Sequence, residues 1–246
     1  MNDFCVKAEK LSKLFLVFKS KKTTLQALKA MLSREALKKE LWALYDVSFE
    51  IKKSEKLALV GKNGAGKTTL LRILTGIYDK TSGDIVVKDN PRALFRFWTG
   101  LNRDLSVIDN IYLFGAMYGM DRNFLKDKLD DILKMSELYH LQFVPLNKLS
   151  AGQAQRLSLS IFFQSKSNFF IFDESLAFVD QSFAQKCEAY FKELSSSDKT
   201  VIMTSHDNRL LRKYCNRAIW LDEGRISMFG EAKRVINEYE HSFHYL

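Results

Sequence analysis

The apolar residues of this chain fall into short continuous runs, separated by stretches whose apolar positions recur with helical spacing. The runs predict strands at Val47–Ile51, Lys56–Val60, Asp84–Val87, Phe169–Phe172, Thr200–Thr204 and Ala218–Leu221. Strand-like runs that alternate with helical stretches predict an α/β core with a largely parallel sheet. A strand pair around Gly224 and a final helix are predicted to follow.

Two segments depart from this alternation. From about Asn102 to Ser165 helical periodicity replaces the strand-like runs, which predicts a helical subdomain inserted into the sheet domain. The segment Leu25–Leu41 predicts a second helical insert, because four apolar residues share one helical face: Leu25, Leu28, Leu32 and Ala36. We therefore expect one domain over residues 1–246. Its parts are a core sheet subdomain at about 1–101 and 166–246, a helical subdomain at 102–165 and a basic helical insert at 19–41.

The net charge of +9 changes this picture at one place, because part of it is concentrated in the insert. Residues 19–41 hold seven Lys or Arg against Glu35 and Glu40. No aromatic residues interleave with this cluster in the way that a surface binding single-stranded nucleic acid would require. The cluster favours an anionic membrane surface over nucleic acid, and a solvated helix that covers the sheet edge is the alternative.

The remaining composition indicates a cytosolic protein. No apolar run of 18 or more residues occurs, and charges interrupt the N-terminal segment where a signal peptide needs an apolar core. The cysteines Cys5, Cys187 and Cys215 are odd in number and widely spaced, which is typical of reduced thiols.

The strongest chemical signal is the run KLALVGKNGAGKTTLLRIL, residues 56–74. A buried strand leads into a glycine-rich loop and then into a helix, which is the context that a P-loop requires. Its backbone N–H groups and the positive end of the helix dipole favour phosphate. We expect Lys67 to reach the β- and γ-phosphates of ATP and Thr68 to ligate Mg²⁺. The predicted nucleotide-binding residues are Gly61, Asn63, Gly64, Ala65, Gly66, Lys67, Thr68 and Thr69.

A second motif, residues 168–174, is an apolar strand that ends in two carboxylates. At the carboxyl edge of the sheet, Asp173 can hold Mg²⁺ through water, and Glu174 can act as the general base towards an attacking water. An ordinary strand with acidic residues at its end is the alternative, and the upstream P-loop favours the catalytic interpretation.

Residues 149–157, LSAGQAQRL, resemble the LSGGQ signature of ABC transporter ATPases, with Ala151 in place of the first glycine. In that family the signature begins a helix and binds the γ-phosphate of ATP held by the other subunit. The resemblance implies nucleotide-binding roles for Ser150, Gly152 and Gln153. His206, after the apolar run VIMT, is similar to the family's switch histidine, although a single histidine there could also be structural.

The resemblance also implies a residue in the position of the family's glutamine and an aromatic residue that stacks on adenine, and at both points the match is less direct. The glutamine usual in the loop after the first subdomain is absent, and the nearest equivalent is Asn102, which is shorter by one methylene. An aromatic residue near the N-terminus stacks on adenine in this family. Phe15 fits best and Phe18 next, while a core phenylalanine is the alternative.

Longer stretches, residues 42–85, 110–120 and 173–187, resemble the ATPases of O-antigen, capsular polysaccharide and teichoic acid exporters. This resemblance implies a subunit that hydrolyses ATP with Mg²⁺ and powers export of a lipid-linked polysaccharide. It also implies a head-to-tail homodimer with ATP between the subunits, a separate permease, no nucleic acid, and a position on the cytoplasmic face of the inner membrane. The alternatives are the ATPase of a lipid or drug exporter and a soluble ABC ATPase without a transport role.

Overall fold

The computed structural model describes residues 3–18, 38–95, 100–174 and 181–242 of the chain. The strands are β1 Phe4–Phe18, β2 Lys38–Lys52, β3 Lys56–Val60, β4 Ser82–Val87, β5 Arg92–Leu94, β6 Phe169–Asp173, β7 Thr200–Thr204, β8 Arg217–Asp222 and β9 Arg225–Glu231. The α-helices are α1 Lys67–Leu74, α2 Val107–Met117, α3 Arg122–Ser136, α4 Ala151–Phe162, α5 Gln181–Ser196, α6 Asn208–Tyr214 and α7 Ala232–His241.

The central sheet has the strand order β5-β6-β7-β3-β8-β9 in the described residues. Its first five strands pair in parallel, and β9 runs antiparallel to β8. Strands β3, β6 and β7 are buried along their whole length. Continuous apolar runs suit strands that are covered on both faces, and the predicted α/β fold with a largely parallel sheet is confirmed.

A second sheet is antiparallel, with the order β2-β1-β4. The predicted strand Val47–Ile51 is only the end of β2, which extends back to Lys38. The predicted helix Leu25–Leu41 is therefore wrong at its end, because cross-strand pairing with β1 holds Lys38–Leu41 extended. Residues 19–37 of the predicted basic insert lie outside the described residues.

Between β5 and β6 the described residues form α2, α3, α4 and two short 3₁₀ turns, Tyr139–Leu141 and Leu146–Lys148. Helices α2 and α3 begin at side-chain caps: Ser106 accepts the N–H of Asp109, and Asp121 accepts that of Phe124. These helices share one hydrophobic core with a face of the central sheet, where Phe162 packs edge-on against Phe172. Whether residues 102–165 form a separate subdomain stays a prediction.

Two observations concern the wider properties of the chain. In the ranges that the structure describes, no helix has both the length and the apolar character needed to cross a membrane. The three cysteines, Cys5, Cys187 and Cys215, are buried.

Candidate functional site

A cavity of about 600 Å³ opens where β3 and β6 end. The predicted site residues that line it are Phe15, Asn63, Gly64, Gly66, Lys67, Thr68, Thr69, Asp173 and Glu174. An adjoining cavity of about 420 Å³ shares Lys67 and Glu174 and adds Gly61 and His206. The structure thus gathers the loop after β3, the acidic pair after β6 and the histidine after β7 at one edge of the sheet.

The loop after β3 lies against the backbone of both sheets. Gly61 and Gly66 have φ angles of 149° and 103°. A Cβ at Gly61 would lie 2.2 Å from the carbonyl oxygen of Leu221, and one at Gly66 would lie 2.4 Å from that of Ala43. Glycine is required at both positions because no side chain fits between the loop and these strands.

Backbone hydrogen bonds to the β8–β9 turn hold the same loop. The N–H of Gly224, in the β8–β9 turn, donates to the carbonyl oxygen of Ala65 at 3.1 Å, and the N–H of Tyr45 donates to that of Gly224 at 2.8 Å. Ala65 is buried and does not line the larger cavity. Its side chain therefore contributes packing, and the nucleotide-binding role expected of Ala65 stays a prediction.

The ammonium group of Lys67 is held inside the loop. Its Nζ donates to the carbonyl oxygens of Gly61 at 2.5 Å and Lys62 at 3.1 Å. Burial lowers the pKa of Lys67, while the carboxylates of Glu174 and Asp173 act in the opposite direction. A desolvated cation at the start of α1 provides strong attraction for a phosphate group.

Asp173 is buried, and each of its carboxylate oxygens accepts a hydroxyl hydrogen bond. Thr68 Oγ1 donates to Oδ2 at 3.0 Å, and Thr204 Oγ1 donates to Oδ1 at 2.8 Å. The described residues contain no group of three or more His, Cys, Asp or Glu side chains placed to hold a metal ion. Mg²⁺ at phosphate sites takes few protein ligands and completes its shell with water and phosphate. The Thr68 hydroxyl and the Asp173 carboxylate therefore fit Mg²⁺.

Glu174 follows β6 in a left-handed backbone conformation, with φ of 49°. Its N–H donates to both the carbonyl oxygen and Oγ1 of Thr204, at 3.2 and 2.9 Å, and these bonds hold the uncommon conformation. Nε2 of His206 lies 3.1 Å from its Oε1. The side chain of Glu174 is 12% exposed and that of His206 is 60% exposed, so the carboxylate is sheltered while the imidazole faces solvent.

The signature-like residues lie outside these cavities and form the start of α4. Ser150 accepts the N–H of Gln153 at 3.2 Å, and Gln153 Oε1 accepts the N–H of Ser150 at 2.9 Å, which is a capping box. A Cβ built at Gly152 meets nothing within 4 Å in the described part of the chain. Ser150, Gly152 and Gln153 line neither cavity.

The structure does not bring Asn102 to the acidic pair. Asn102 is exposed, lines neither cavity, and accepts the N–H of Asp104 through Oδ1 at 3.0 Å. Its backbone is fixed by the fully buried Asn110, whose side chain accepts the N–H of Asn102 at 2.7 Å and donates to its carbonyl oxygen at 2.9 Å. The geometry of Asn102 in a single chain is that of a turn residue.

Phe15 lies in the larger cavity, half-buried, with its ring 5.5 Å from that of Tyr78 in an edge-on arrangement. The side chain of Phe18, the second candidate for stacking on adenine, lies outside the described residues. Sequence reasoning missed six further lining residues, Leu41, Trp42, Ala43, Lys62, Arg72 and Phe95. Trp42 is 40% exposed although it is a large aromatic side chain, and reading its surroundings as β-structure would have drawn attention to it.

Comparisons with known proteins show what this chain is similar to. Residues 44–177 match the family described as ABC transporter. The teichoic acids export ATP-binding protein TagH of Lactococcus lactis subsp. lactis is 33% identical over 239 residues, which are 97% of this chain and 51% of that protein. The O-antigen export system ATP-binding protein RfbB of Klebsiella pneumoniae is 30% identical over 80% of each chain. This chain thus spans about half the length of the first relative.

Among solved structures, a dimeric post-hydrolysis ATP-binding cassette bound to ADP and Pi superposes with a TM-score of 0.70 at 22% identity. The match covers 92% of this chain and 98% of that one. At this level of identity the likeness concerns the fold.

Proposed function

This chain belongs to the ABC transporter family, and we propose that it is the ATP-hydrolysing subunit of an exporter that moves a polysaccharide across the inner membrane. The observation that carries the catalytic part is the meeting of Lys67, Asp173 and Glu174 at one cavity. A phosphate-binding cation, a buried carboxylate and a second, partly sheltered carboxylate are the groups that hydrolysis of a nucleoside triphosphate requires.

In this proposal the triphosphate lies along the loop between Gly61 and Thr68, with Lys67 at the β- and γ-phosphates. Thr68 and, through water, Asp173 would hold Mg²⁺, which when bound supplies charge neutralisation at the phosphates. Phe15, which lines the same cavity, would contact the adenine. The loop is held by both sheets, so these groups are in place before the ligand arrives.

Glu174 would act as the general base. Its carboxylate accepts a proton from water as the water oxygen bonds to the γ-phosphorus, and the bond to the β-phosphate oxygen breaks. The backbone bonds from Glu174 to Thr204 fix the base, and the contact with His206 orients its carboxylate. The water-facing imidazole is also placed beside the cavity into which the γ-phosphate would extend.

A second copy of the chain would complete the site. Ser150 and Gly152 have the hydroxyl and the unobstructed helix start that suit a phosphate, yet neither lines either of the two cavities described above. Among the described residues, none gives a steric reason for a glycine at Gly152. Both observations support a head-to-tail dimer in which the signature of one subunit binds ATP held by the other.

The transport substrate is proposed from the relatives. Their names refer to teichoic acids export and to O-antigen export. These names favour polysaccharide export over export of a lipid or drug and over a soluble ABC ATPase. Action with a separate permease, at the cytoplasmic face of the inner membrane, belongs to the same proposal.

The composite site can be tested by mixing two inactive variants. Lys67→Ala removes the phosphate cation, and Ser150→Ala removes the signature hydroxyl. In a head-to-tail dimer, the mixed pair keeps one site with both Lys67 and Ser150. We expect each variant alone to fail to retain ATP on gel filtration and the equimolar mixture to retain it.

A mixture that retains no ATP, while each variant remains folded by circular dichroism, would contradict the shared site. The transport part has a separate test: the wild-type chain, purified from membranes of its own host, should bring down an integral membrane protein. Stimulation of its ATP hydrolysis by lipid-linked polysaccharide, and not by lipid alone, is the expected result.

A further inference from the structure

The carboxylate of Glu240, near the end of α7, connects α7 to α6. Asn208 Nδ2 donates to its Oε1 at 2.9 Å, and the guanidinium of Arg212 donates to its Oε2. Arg212 Nε also donates to the side-chain oxygen of Asn237 at 3.1 Å. These bonds link two positions one turn apart on α6 to two positions on α7.

This link is made next to the catalytic histidine. Asn208 is the first residue of α6 and stands two positions after His206. The intervening loop is short and internally bonded: Ser205 Oγ accepts the N–H of Asp207 at 3.0 Å, and Asp207 caps α6 by accepting the N–H of Arg209 at 2.9 Å. Where α6 begins therefore determines where His206 lies.

The smaller cavity extends from the catalytic groups to α7. Lys67, Glu174 and His206 line one part of it, and Asn208, Tyr239 and Glu240 line the other. The side chain of His206 is 60% exposed, so packing does little to hold its imidazole near Glu174. The position of the imidazole depends on the two ends of its loop, which are β7 and the start of α6.

The chemistry of Glu240 suits a fixed connection. Burial acts to raise the pKa of Glu240, but the hydrogen bonds from Asn208 and Arg212 outweigh it and lower that pKa. The carboxylate therefore carries its charge at neutral pH, and hydrogen bonds to an ionised group are stronger than neutral ones. Glu238, two residues earlier on the same helix, is exposed and provides a matched control.

We propose that Glu240 is a positioning residue, which fixes α6 against α7 so that His206 stays in contact with Glu174. This inference rests on the proposed ATPase function. It assigns α7 a part in catalysis although no residue of α7 was predicted as a site residue. Glu240 acts through Asn208, and it takes no proton and contacts no phosphate in this scheme.

The test compares Glu240→Ala, Glu240→Gln and the control Glu238→Ala. We expect Glu240→Ala to lower kcat for ATP roughly 10- to 100-fold, as small misplacements of catalytic groups do, with the KM for ATP changed little. Glu240→Gln keeps an oxygen that can accept from Asn208 and should recover part of the loss. The control should match the wild type in both constants.

Amide hydrogen exchange at residues 205–212 gives a readout that does not depend on turnover. It should be faster in Glu240→Ala than in Glu238→Ala. Wild-type kcat and wild-type exchange in Glu240→Ala would overturn the proposal, and so would a change confined to KM. Asn208→Ala removes one bond only and serves if Glu240→Ala does not fold. A wild-type chain without any ATP turnover would refute the ATPase function, and the exchange comparison would still decide whether Glu240 holds the loop.

Discussion

The imidazole of His206 and the carboxylate of Glu174 meet at 3.1 Å, Nε2 to Oε1, across the ends of two neighbouring parallel strands. The pairing of Asp173 with Thr204 places the residues that follow β6 and β7 side by side. Thr204 then holds Glu174 by its backbone N–H. The register of two buried strands thus determines where the base and the histidine stand.

Glu174→Gln should abolish ATP turnover and leave ATP binding intact, because the amide keeps the shape of the side chain and cannot accept the proton. General-base catalysis contributes roughly 10²–10⁴-fold, and the fall in kcat should lie in that range. Phosphate release measures the rate, and ATP-dependent dimerisation on gel filtration measures binding. The exposed Glu50→Gln serves as the control. Turnover by Glu174→Gln near the wild-type rate would refute the assigned role.

Lys67→Ala should lose nucleotide affinity, since it removes a partly buried cation that is held by the carbonyl oxygens of the loop. Titration with a fluorescent ATP analogue measures the dissociation constant. Lys233→Ala, at an exposed position on α7, controls for the change in net charge. Equal affinity of Lys67→Ala and wild type would show that the phosphates bind elsewhere.

Trp42 should report nucleotide binding through its fluorescence, because it lines the larger cavity beside Phe15 and remains 40% exposed. We expect ATP to change the emission of the wild type and to leave that of Trp42→Phe unchanged. Trp220→Phe, which removes a tryptophan outside this cavity, should keep the response. A response that persists in Trp42→Phe would place the nucleobase away from Trp42.

Asn102 is tested by comparing Asn102→Ala with Asn102→Asp. If Asn102 replaces the family's glutamine, both changes should lower the hydrolysis rate at similar ATP affinity, because both remove the amide N–H donor. If Asn102 is instead a turn residue, its role is to accept the N–H of Asp104. Aspartate keeps that acceptor, so only the alanine variant should lose stability. Parallel assays of turnover and thermal unfolding separate the two roles.

The thiols of Cys5 and Cys215 should resist alkylation in the folded protein. Burial raises the pKa of Cys5 to about 11 and that of Cys215 to about 12. A raised pKa means that the reactive thiolate is scarce at pH 8 and becomes more abundant as the pH rises towards the pKa. We expect maleimide labelling of both sites at pH 8, followed by mass spectrometry, to be at least about 100-fold slower than in guanidinium. Rapid labelling of the folded chain would show that these sites open.

The central sheet could be predicted because β3, β6 and β7 each contain a continuous apolar run, are buried along their whole length and are bounded by loop residues. The antiparallel sheet was harder, since β1 contains several register shifts that interrupt the alternation of apolar and polar residues. The irregular strand pattern also explains why the predicted helix ran on to Leu41, into the start of β2. Its local spacing suits a helix, and the cross-strand partners that hold it extended are distant in sequence.

The candidate site was predictable where function places residues in one local motif, as in the loop before Lys67 and the pair Asp173–Glu174. Contacts between distant elements, such as that of Asn208 with Glu240, leave no periodic pattern in either segment. Trp42 was missed for a related reason, because it lay between the predicted helix that ended at Leu41 and the predicted strand that began at Val47, and was not expected on the face of β2.

The loop between Gly61 and Gly66 packs closely against both sheets. The space that a side chain would need is taken at Gly61 by the carbonyl oxygen of Leu221 and at Gly66 by that of Ala43. Its backbone is consequently ordered by folding itself, so a nucleotide meets little of the entropic cost that ordering a free loop would add to association. Binding of the nucleotide in turn affects the stability of the fold. A nucleotide bound where the two sheets meet stabilises the folded chain against their separation. The gain in the free energy of unfolding grows with the logarithm of the nucleotide concentration.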